Sequence, residues 1–250
     1  MGRGVAIGIV IDGKLYYGKN GFAGEFGHIP FFDNEKICAC GKKGCLETEV
    51  SGIAIEERLI TLIKSGLIGD VVGIDASESK LWGEENLKRE LDPKQAGGSL
   101  YEMGSYPLLP IVKLLGTEHK NINLYSRLND NGVDVYTRGI MLYNNALASF
   151  QLGLGVKTEG NLIISGTQGY AYVPSPWWKT DYFELRYEDQ NRNKKYFYKW
   201  DEAGLRYEIQ EFVSCIINRR SYSPRLTPRE CIAMARVFEQ FAERKNVIEL

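Results

Sequence analysis

The hydrophobic pattern changes period several times along the chain. Between Val5 and Tyr17, β-branched and aromatic residues flank Asp12-Gly13. Asp-Gly between apolar runs favours the type I′ turn of a two-residue hairpin, so two paired strands are expected. A glycine-rich loop, Gly21 to His28, follows, and after it a polar cysteine-containing stretch. From Gly52 to Lys64, Ile53, Ile55, Leu59, Ile60 and Ile63 recur at roughly helical spacing, and Gly66 stands where a C′ glycine ends a helix. Val71 to Ala76 reads as a buried strand. A second helical run, Leu108 to Leu115, closes at Gly116.

Beyond it the period shortens. Ile122 to Tyr198 holds short alternating runs such as Val133-Asp134-Val135-Tyr136 and Leu162-Ile163-Ile164. Turn-forming clusters separate them: Asn129 to Gly132, Thr158 to Asn161 and Gly166 to Gly169. Several antiparallel strands are expected there, presenting an apolar face that pairs chains into a homo-oligomer. Two helices then close the chain, Leu205 to Ile217 and Pro228 to Arg244. The second has Thr227 as N-cap, Pro228 at its first position and Glu230 in a capping box. The class is α+β: a short hairpin and a cysteine-containing loop, then an open, mainly antiparallel sheet with helices on one face.

Composition narrows the function classes. The 250 residues carry 31 basic and 32 acidic side chains, so net charge draws the chain neither to nucleic acid nor to an acidic membrane surface. No apolar run approaches the roughly 20 residues that span a bilayer, and the N-terminus lacks the layout of a signal peptide, so a cytoplasmic protein is expected. Of the five cysteines, Cys38, Cys40 and Cys45 are clustered while Cys215 and Cys231 stand apart. That spacing suits a metal site better than a disulfide framework.

With His28, the clustered cysteines form the ligand set of a closed tetrahedral structural zinc site. Gly41 and Gly44 stand where the backbone must turn to aim successive sulfurs at one ion. Gly24-Glu25-Phe26-Gly27-His28, with the run from Cys38 through Cys40 and Cys45 to Glu47, resembles the signature of the ROK (repressor, ORF, kinase) family over residues 1–56. In that family the histidine and cysteines bind zinc, and the two glutamates and the histidine contact sugar hydroxyls. The resemblance therefore implies that Glu25, His28 and Glu47 are sugar contacts; solvated surface carboxylates are the competing account of the glutamates. Family kinases carry their phosphate loop and catalytic aspartate, and repressors their helix-turn-helix, upstream of this region. Neither phosphoryl transfer nor DNA binding is expected of the chain. Arg3, in Gly2-Arg3-Gly4, replaces the threonine usual in kinases, as in the repressor branch.

Residues 57–250 resemble a different family. The passage Leu62 to Val72, the segment Gly97-Gly98-Ser99-Leu100-Tyr101-Glu102-Met103-Gly104-Ser105-Tyr106-Pro107, and the runs Gly166 to Tyr170, Pro174 to Lys179 and Gly204 to Glu208 are similar to the C-terminal domain of Gfo/Idh/MocA oxidoreductases. The usual aspartate and histidine of the active-site segment are replaced by Glu102 and Tyr106, as in the branch that uses tyrosine as its acid. The resemblance thus implies catalytic roles for Tyr106 and Glu102, although helix-start packing explains Tyr106 equally well. The family's Glu-Lys-Pro motif, whose lysine lowers the tyrosine's pKa, is absent from the sequence. Trp177, Trp178 and Lys179 suit the face of a sugar or diol, or else a buried strand end, and Arg206 is a further candidate substrate contact.

No Gly-x-Gly-x-x-Gly turn for a dinucleotide pyrophosphate follows a strand anywhere in the chain. NAD(P) is therefore expected only if a separate dinucleotide domain supplies it. The resulting expectation is an oxidoreductase substrate domain joined to a zinc-binding fragment, with sugar, polyol or diol ligands and no turnover by itself. A sugar-binding protein of the ROK type, without its ATP- or DNA-binding lobe, is the alternative.

Overall fold

The computed structural model describes residues 9–20, 23, 28–30, 33, 38, 41–45, 52–81, 88–197 and 205–250, with side chains 52–57, 205–208 and 210 left aside. The chain divides into two units: Met1–Leu59 with Phe197–Ser223, and Ile60–Tyr196 with Pro224–Leu250.

In the first unit, β1 (Val10–Ile11) and β2 (Lys14–Leu15) pair antiparallel, Val10 with Leu15 and Ile11 with Lys14. Asp12 and Gly13 both have positive φ, 50° and 72°, which is the type I′ signature expected of Asp-Gly. Helix α1 (Gly52–Lys64) begins in the first unit, continues into the second from Ile60, and ends there in a Schellman motif. Gly66, at φ 81°, donates to the carbonyl of Ile63 and Leu67 donates to that of Leu62.

The second unit is built on one sheet of nine strands. In chain order come β3 (Val71–Lys80), α2 (Ser99–Met103), α3 (Ser105–Leu115), β4 (Asn121–Leu128), β5 (Asp134–Leu142), β6 (Leu147–Leu154), β7 (Leu162–Gly166), β8 (Tyr170–Val173), β9 (Tyr182–Arg186) and β10 (Lys194–Phe197). Helix α4 (Leu205–Ile217) belongs to the first unit, and α5 (Pro228–Ala242) and β11 (Val247–Glu249) complete the second. The strand order is β10-β9-β8-β7-β3-β6-β5-β4-β11.

Most neighbours are antiparallel, as the alternating runs predict. Two pairs are not: β3 lies parallel to β6 at the centre, and β11 lies parallel to β4 at an edge. The sheet is therefore mixed. Strand β3 runs four residues beyond the expected Ala76, because Glu78 through Lys80 continue the ladder to Leu152 through Leu154. The expected helix from Leu108 starts earlier, at Ser105, and α2 precedes it.

Alternation decides the two faces. Ile74, Ile122, Leu124, Met141, Phe150 and Leu152 point to the buried side, where Leu100, Met103, Leu108, Ile111 and Val237 of the helices are also fully enclosed. The opposite face keeps part of the apolar character expected from the sequence, since Ile140, Leu142, Leu147 and Ile163 lie on it, Leu142 and Leu147 each 46% exposed. It carries Tyr125, Tyr136 and Tyr172 beside Asp75, Arg138, Gln151, Glu184 and Arg186. Successive side chains of a strand point to opposite faces, which puts these residues opposite the buried aliphatic ones.

Two caps fix the helices on the core. Asp134 of β5, almost fully buried, accepts at one oxygen from Ser99 Oγ (2.6 Å), Leu100 N (2.9 Å) and Thr137 Oγ1 (2.7 Å). It thereby caps α2 from a strand 35 residues away in sequence. Helix α5 is capped locally, with Thr227 and Glu230 in the reciprocal box that the sequence predicts.

Candidate functional site

Candidate chemistry gathers in two places, one in each unit. In the first, His28, Cys38 and Cys45 bring one nitrogen and two sulfurs within 4.8 Å of one another. Cys38 Sγ lies 3.4 Å from His28 Nδ1. Bonds of ~2.3 Å to sulfur and ~2.1 Å to nitrogen at tetrahedral angles put two such donors about 3.6 Å apart, so this spacing fits a shared zinc ion. The local fold explains the convergence. Pro30 bridges to Cys45, the Cys38 amide donates to the carbonyl of Lys42 (2.7 Å), and Gly41 and Gly44 take φ of 86° and 68°. Both sulfurs are buried, Cys45 completely. Cys40, the fourth expected ligand, and the expected sugar contacts Glu25 and Glu47 lie outside the described residues, as does the Gly2-Arg3-Gly4 run.

The second place is the C-terminal end of β3. Lys80 and Arg89 both contact Glu102 of α2: Lys80 Nζ lies 2.8 Å from Oε1 and Arg89 Nη2 lies 2.5 Å from Oε2. Burial alone would raise the pKa of Glu102, but the hydrogen bonds and charges of the two cations outweigh it and hold the carboxylate below its ordinary range. Tyr106, the second residue of α3, follows Glu102 by four positions and is 44% exposed. Its ring meets Trp178 edge to face at 6.1 Å, and Trp178 meets Trp177 likewise at 6.0 Å. Trp177 Nε1 donates to the carbonyl of Ser77 on β3 (3.2 Å), anchoring the short 3₁₀ turn Trp177–Lys179 to the strand. The Trp177 amide donates to the carbonyl of Gly160 (3.0 Å), where a Cβ would come within 2.8 Å of Ser175 Oγ.

Glu102, Tyr106, Trp177 and Trp178, four of the residues singled out from the sequence, thus gather near one strand end. Lys179 is exposed on the same turn. Arg206 lies on α4, and its side chain is outside the described set.

Sequence reading missed Lys80 and Arg89, which supply positive charge at Glu102. It also missed Glu78, whose relative exposure is 5% and whose Oε2 has no hydrogen-bond partner among the described residues. A signal existed for part of this: Glu78 and Lys80 occupy alternate positions on the inward face of a strand whose earlier inward residues are Ile74 and Ala76. Arg89 offered none, being fixed only by the fold. A separate groove of about 490 Å³, lined by residues of both charges including His119, Arg236, Glu239 and Lys245, involves none of these groups.

Two families match the chain, over stretches that overlap at residues 57–85. Residues 1–85 match the ROK family, and residues 57–172 match the GFO/IDH/MocA C-terminal domain. The chain is 44% identical over 64 residues to the DNA-binding transcriptional dual regulator NagC of Escherichia coli, covering 26% of the chain and 16% of the regulator. It is 46% identical over 54 residues to the N-acetylmannosamine kinase of Vibrio cholerae, covering 22% of the chain and 19% of the kinase. The chain thus spans less than a fifth of these relatives' own length.

Among solved structures it is similar in fold to an aldose-aldose oxidoreductase from Caulobacter crescentus complexed with glycerol. There the TM-score is 0.64, identity is 18%, and the match covers 77% of this chain and 58% of that one. It is likewise similar to KijD10, a 3-ketoreductase from Actinomadura kijaniata in complex with NADP and TDP-benzene, with a TM-score of 0.63 at 14% identity over 78% of this chain and 59% of that one.

Proposed function

We propose that this chain, in which a ROK-like segment is continued by a GFO/IDH/MocA C-terminal-like domain, is the substrate-side part of an oxidoreductase for sugar, polyol or diol ligands. One observation carries the reading: Glu102, held as a carboxylate by Lys80 and Arg89, lies four positions before Tyr106, whose ring packs on Trp178. Each part suits a hydroxylated ligand. A carboxylate accepts hydrogen bonds from adjacent hydroxyls, the cations steady its charge, and aromatic faces cover the C–H surface of a sugar ring. Tyr106, partly open to solvent, exchanges a proton with a ligand hydroxyl.

The solved 3-ketoreductase relative carries NADP, whose nicotinamide supplies hydride when bound. Nothing in these 250 residues matches the dinucleotide fingerprint, and a separate domain is the proposed source of that cofactor. Without that domain, the protein is expected neither to oxidise polyols with NAD(P) nor to phosphorylate sugars with ATP. Calorimetric titration with glucose and myo-inositol tests the binding reading: saturable heat is expected, and Glu102→Ala should weaken it about tenfold or more. Equal binding by the variant, or none by the unaltered chain, would remove the reading.

The thiol cluster supports a second, compatible role. The set His28, Cys38, Cys40 and Cys45 is proposed to hold zinc as a closed structural staple, with Cys40 as the fourth donor. A sugar-binding module of the ROK type is the rival account of this part, and metal analysis addresses it directly. Metal-binding thiols suit a reducing compartment, so a cytoplasmic location is proposed. The open sheet face is the proposed surface for homo-dimerisation. Neither nucleic acid nor membrane is a proposed partner; DNA binding is a property of the regulator NagC, of which this chain covers 16%.

A further inference from the structure

Helix α4 is inverted for a surface helix. An amphipathic helix ordinarily turns its apolar stripe to the protein and its polar side to water. In α4 the polar side is the one that packs. Ser223 Oγ donates to Glu211 Oε1 (2.8 Å), and the buried Cys215 thiol donates to the carbonyl of Tyr222 (3.6 Å). The chain beyond the helix folds back to make these contacts, with Arg219 in the left-handed region at φ 51° and the Arg220 amide on the carbonyl of Cys215 (2.8 Å). Ile209, Phe212, Val213, Ile216 and Ile217 are left facing outward, Ile217 with 72% of its surface exposed. Five large apolar side chains in one stripe expose about 600 Å², the top of the range that a monomer leaves wet, and so mark a contact.

We propose that α4 pairs antiparallel with α4 of a second copy of this chain, about a two-fold axis at Val213. The order of the stripe selects this occupant. Ile209, Val213 and Ile217 form one row at intervals of four, symmetric about its middle member, and Phe212 and Ile216 form the row beside it. In a two-fold contact one patch meets itself, so the patch must complement its own reverse. An axis at Val213 sets Ile209 against Ile217 of the second copy, while the rows of Phe212 and Ile216 cover the two flanks. An acidic lipid surface is the competing occupant, and a chain of net charge -1 is not drawn to one. Area sets the strength: two such stripes bury about 1,000 Å² together, the low end for a specific contact. The pair is therefore expected to close at about 100 μM, above the micromolar range in which pairing through the sheet is read. It depends on neither the sugar reading nor the sheet face.

The test is sedimentation equilibrium of the whole chain from about 1 to about 300 μM, over which the average mass is expected to double. Phe212→Lys with Ile216→Lys should hold the mass at its low-concentration value. Ile209→Glu and Ile217→Lys, each alone, should weaken the association about tenfold or more. Combined in one chain they should regain it severalfold, because the carboxylate of each copy then meets the ammonium of the other. All four positions are exposed, and circular dichroism checks that the variants fold. No doubling by the unaltered chain overturns the pairing whatever the variants do. Doubling that survives the two lysines places the contact on another face, and a combined charge variant no better than its parents excludes the antiparallel arrangement. Flotation of the unaltered chain with phosphatidylserine vesicles, lost with the two lysines and without any doubling of mass, replaces the second copy by a membrane.

Discussion

Glu78 and Gly139 show how single residues of the sheet are constrained by what lies across from them. The folded-state pKa of Glu78, raised from 4.5 to about 7 chiefly by burial, ties stability to pH. Between those two values the folded chain binds more protons than the unfolded one, so the contribution is fully present below about 4.5 and is lost as pH rises through about 7. The shift corresponds to about 3 kcal/mol at most. Urea midpoints should therefore drop between pH 5 and pH 8 in the unaltered protein, and Glu78→Gln should flatten that drop. Gly139 of β5 pairs with Phe150 of β6, whose ring lies over it: a Cβ at Gly139 would come within 2.2 Å of Phe150 Cζ. Phe150 is 1% exposed and cannot swing away. Gly139→Ala should cost roughly 1–3 kcal/mol in a denaturant titration.

Helices α2 and α5 illustrate two ways of ending a helix, with different consequences. Thr227 and Glu230 cap α5 within four residues, and Glu230 also binds Lys113 of α3 at 2.9 Å. Thr227→Ala should cost about 1 kcal/mol and leave the candidate site unchanged. Helix α2 is only five residues long, far below the length that sustains a helix by itself, and its cap is Asp134 on β5. Asp134→Ala removes three hydrogen bonds at once, so a loss of about 2 kcal/mol or more is expected. Because α2 carries Glu102, glucose binding should weaken with it, and calorimetry beside a denaturation curve separates the two caps. Helix α4 presents another element-level feature. Ile209, Phe212, Val213, Ile216 and Ile217, at helical spacing, are all between 44% and 72% exposed. The double change Phe212→Lys with Ile216→Lys should lower binding of a hydrophobic dye without altering far-ultraviolet circular dichroism.

At the scale of the whole molecule, the open sheet face and the thiol cluster make separable predictions. Tyr125, Tyr136 and Tyr172 with Arg138 and Arg186, beside the exposed Leu142 and Leu147, give that face the aromatic, aliphatic and arginine character common in protein contacts. Sedimentation at micromolar concentration should show dimers, and Arg138→Glu with Tyr136→Ala should shift them to monomers; a clean monomer for the unaltered chain would rule the pairing out. Metal analysis of protein prepared without chelators should find about one zinc per chain, lost in Cys38→Ser.

What the sequence by itself determined lies within short windows. Asp12-Gly13 dictates its hairpin because both turn positions need positive φ, Gly66 ends α1 for the same reason, and Thr227 with Glu230 starts α5 through bonds spanning three residues. The soft donors His28, Cys38 and Cys45 were likewise legible, since seventeen residues of loop bring them together. Only the tertiary structure decided that β3 enters the centre of the sheet parallel to β6, and that β11 adds an edge after α5. Alternation records which face a residue takes but not which strand lies beside it, because backbone pairing is indifferent to side-chain identity. The same limit hid Asp134 as the cap of α2, and hid Lys80 and Arg89 as the partners of Glu102. Those groups meet only after the packed sheet has fixed their places, where burial turns a distant acid or base into a necessary partner.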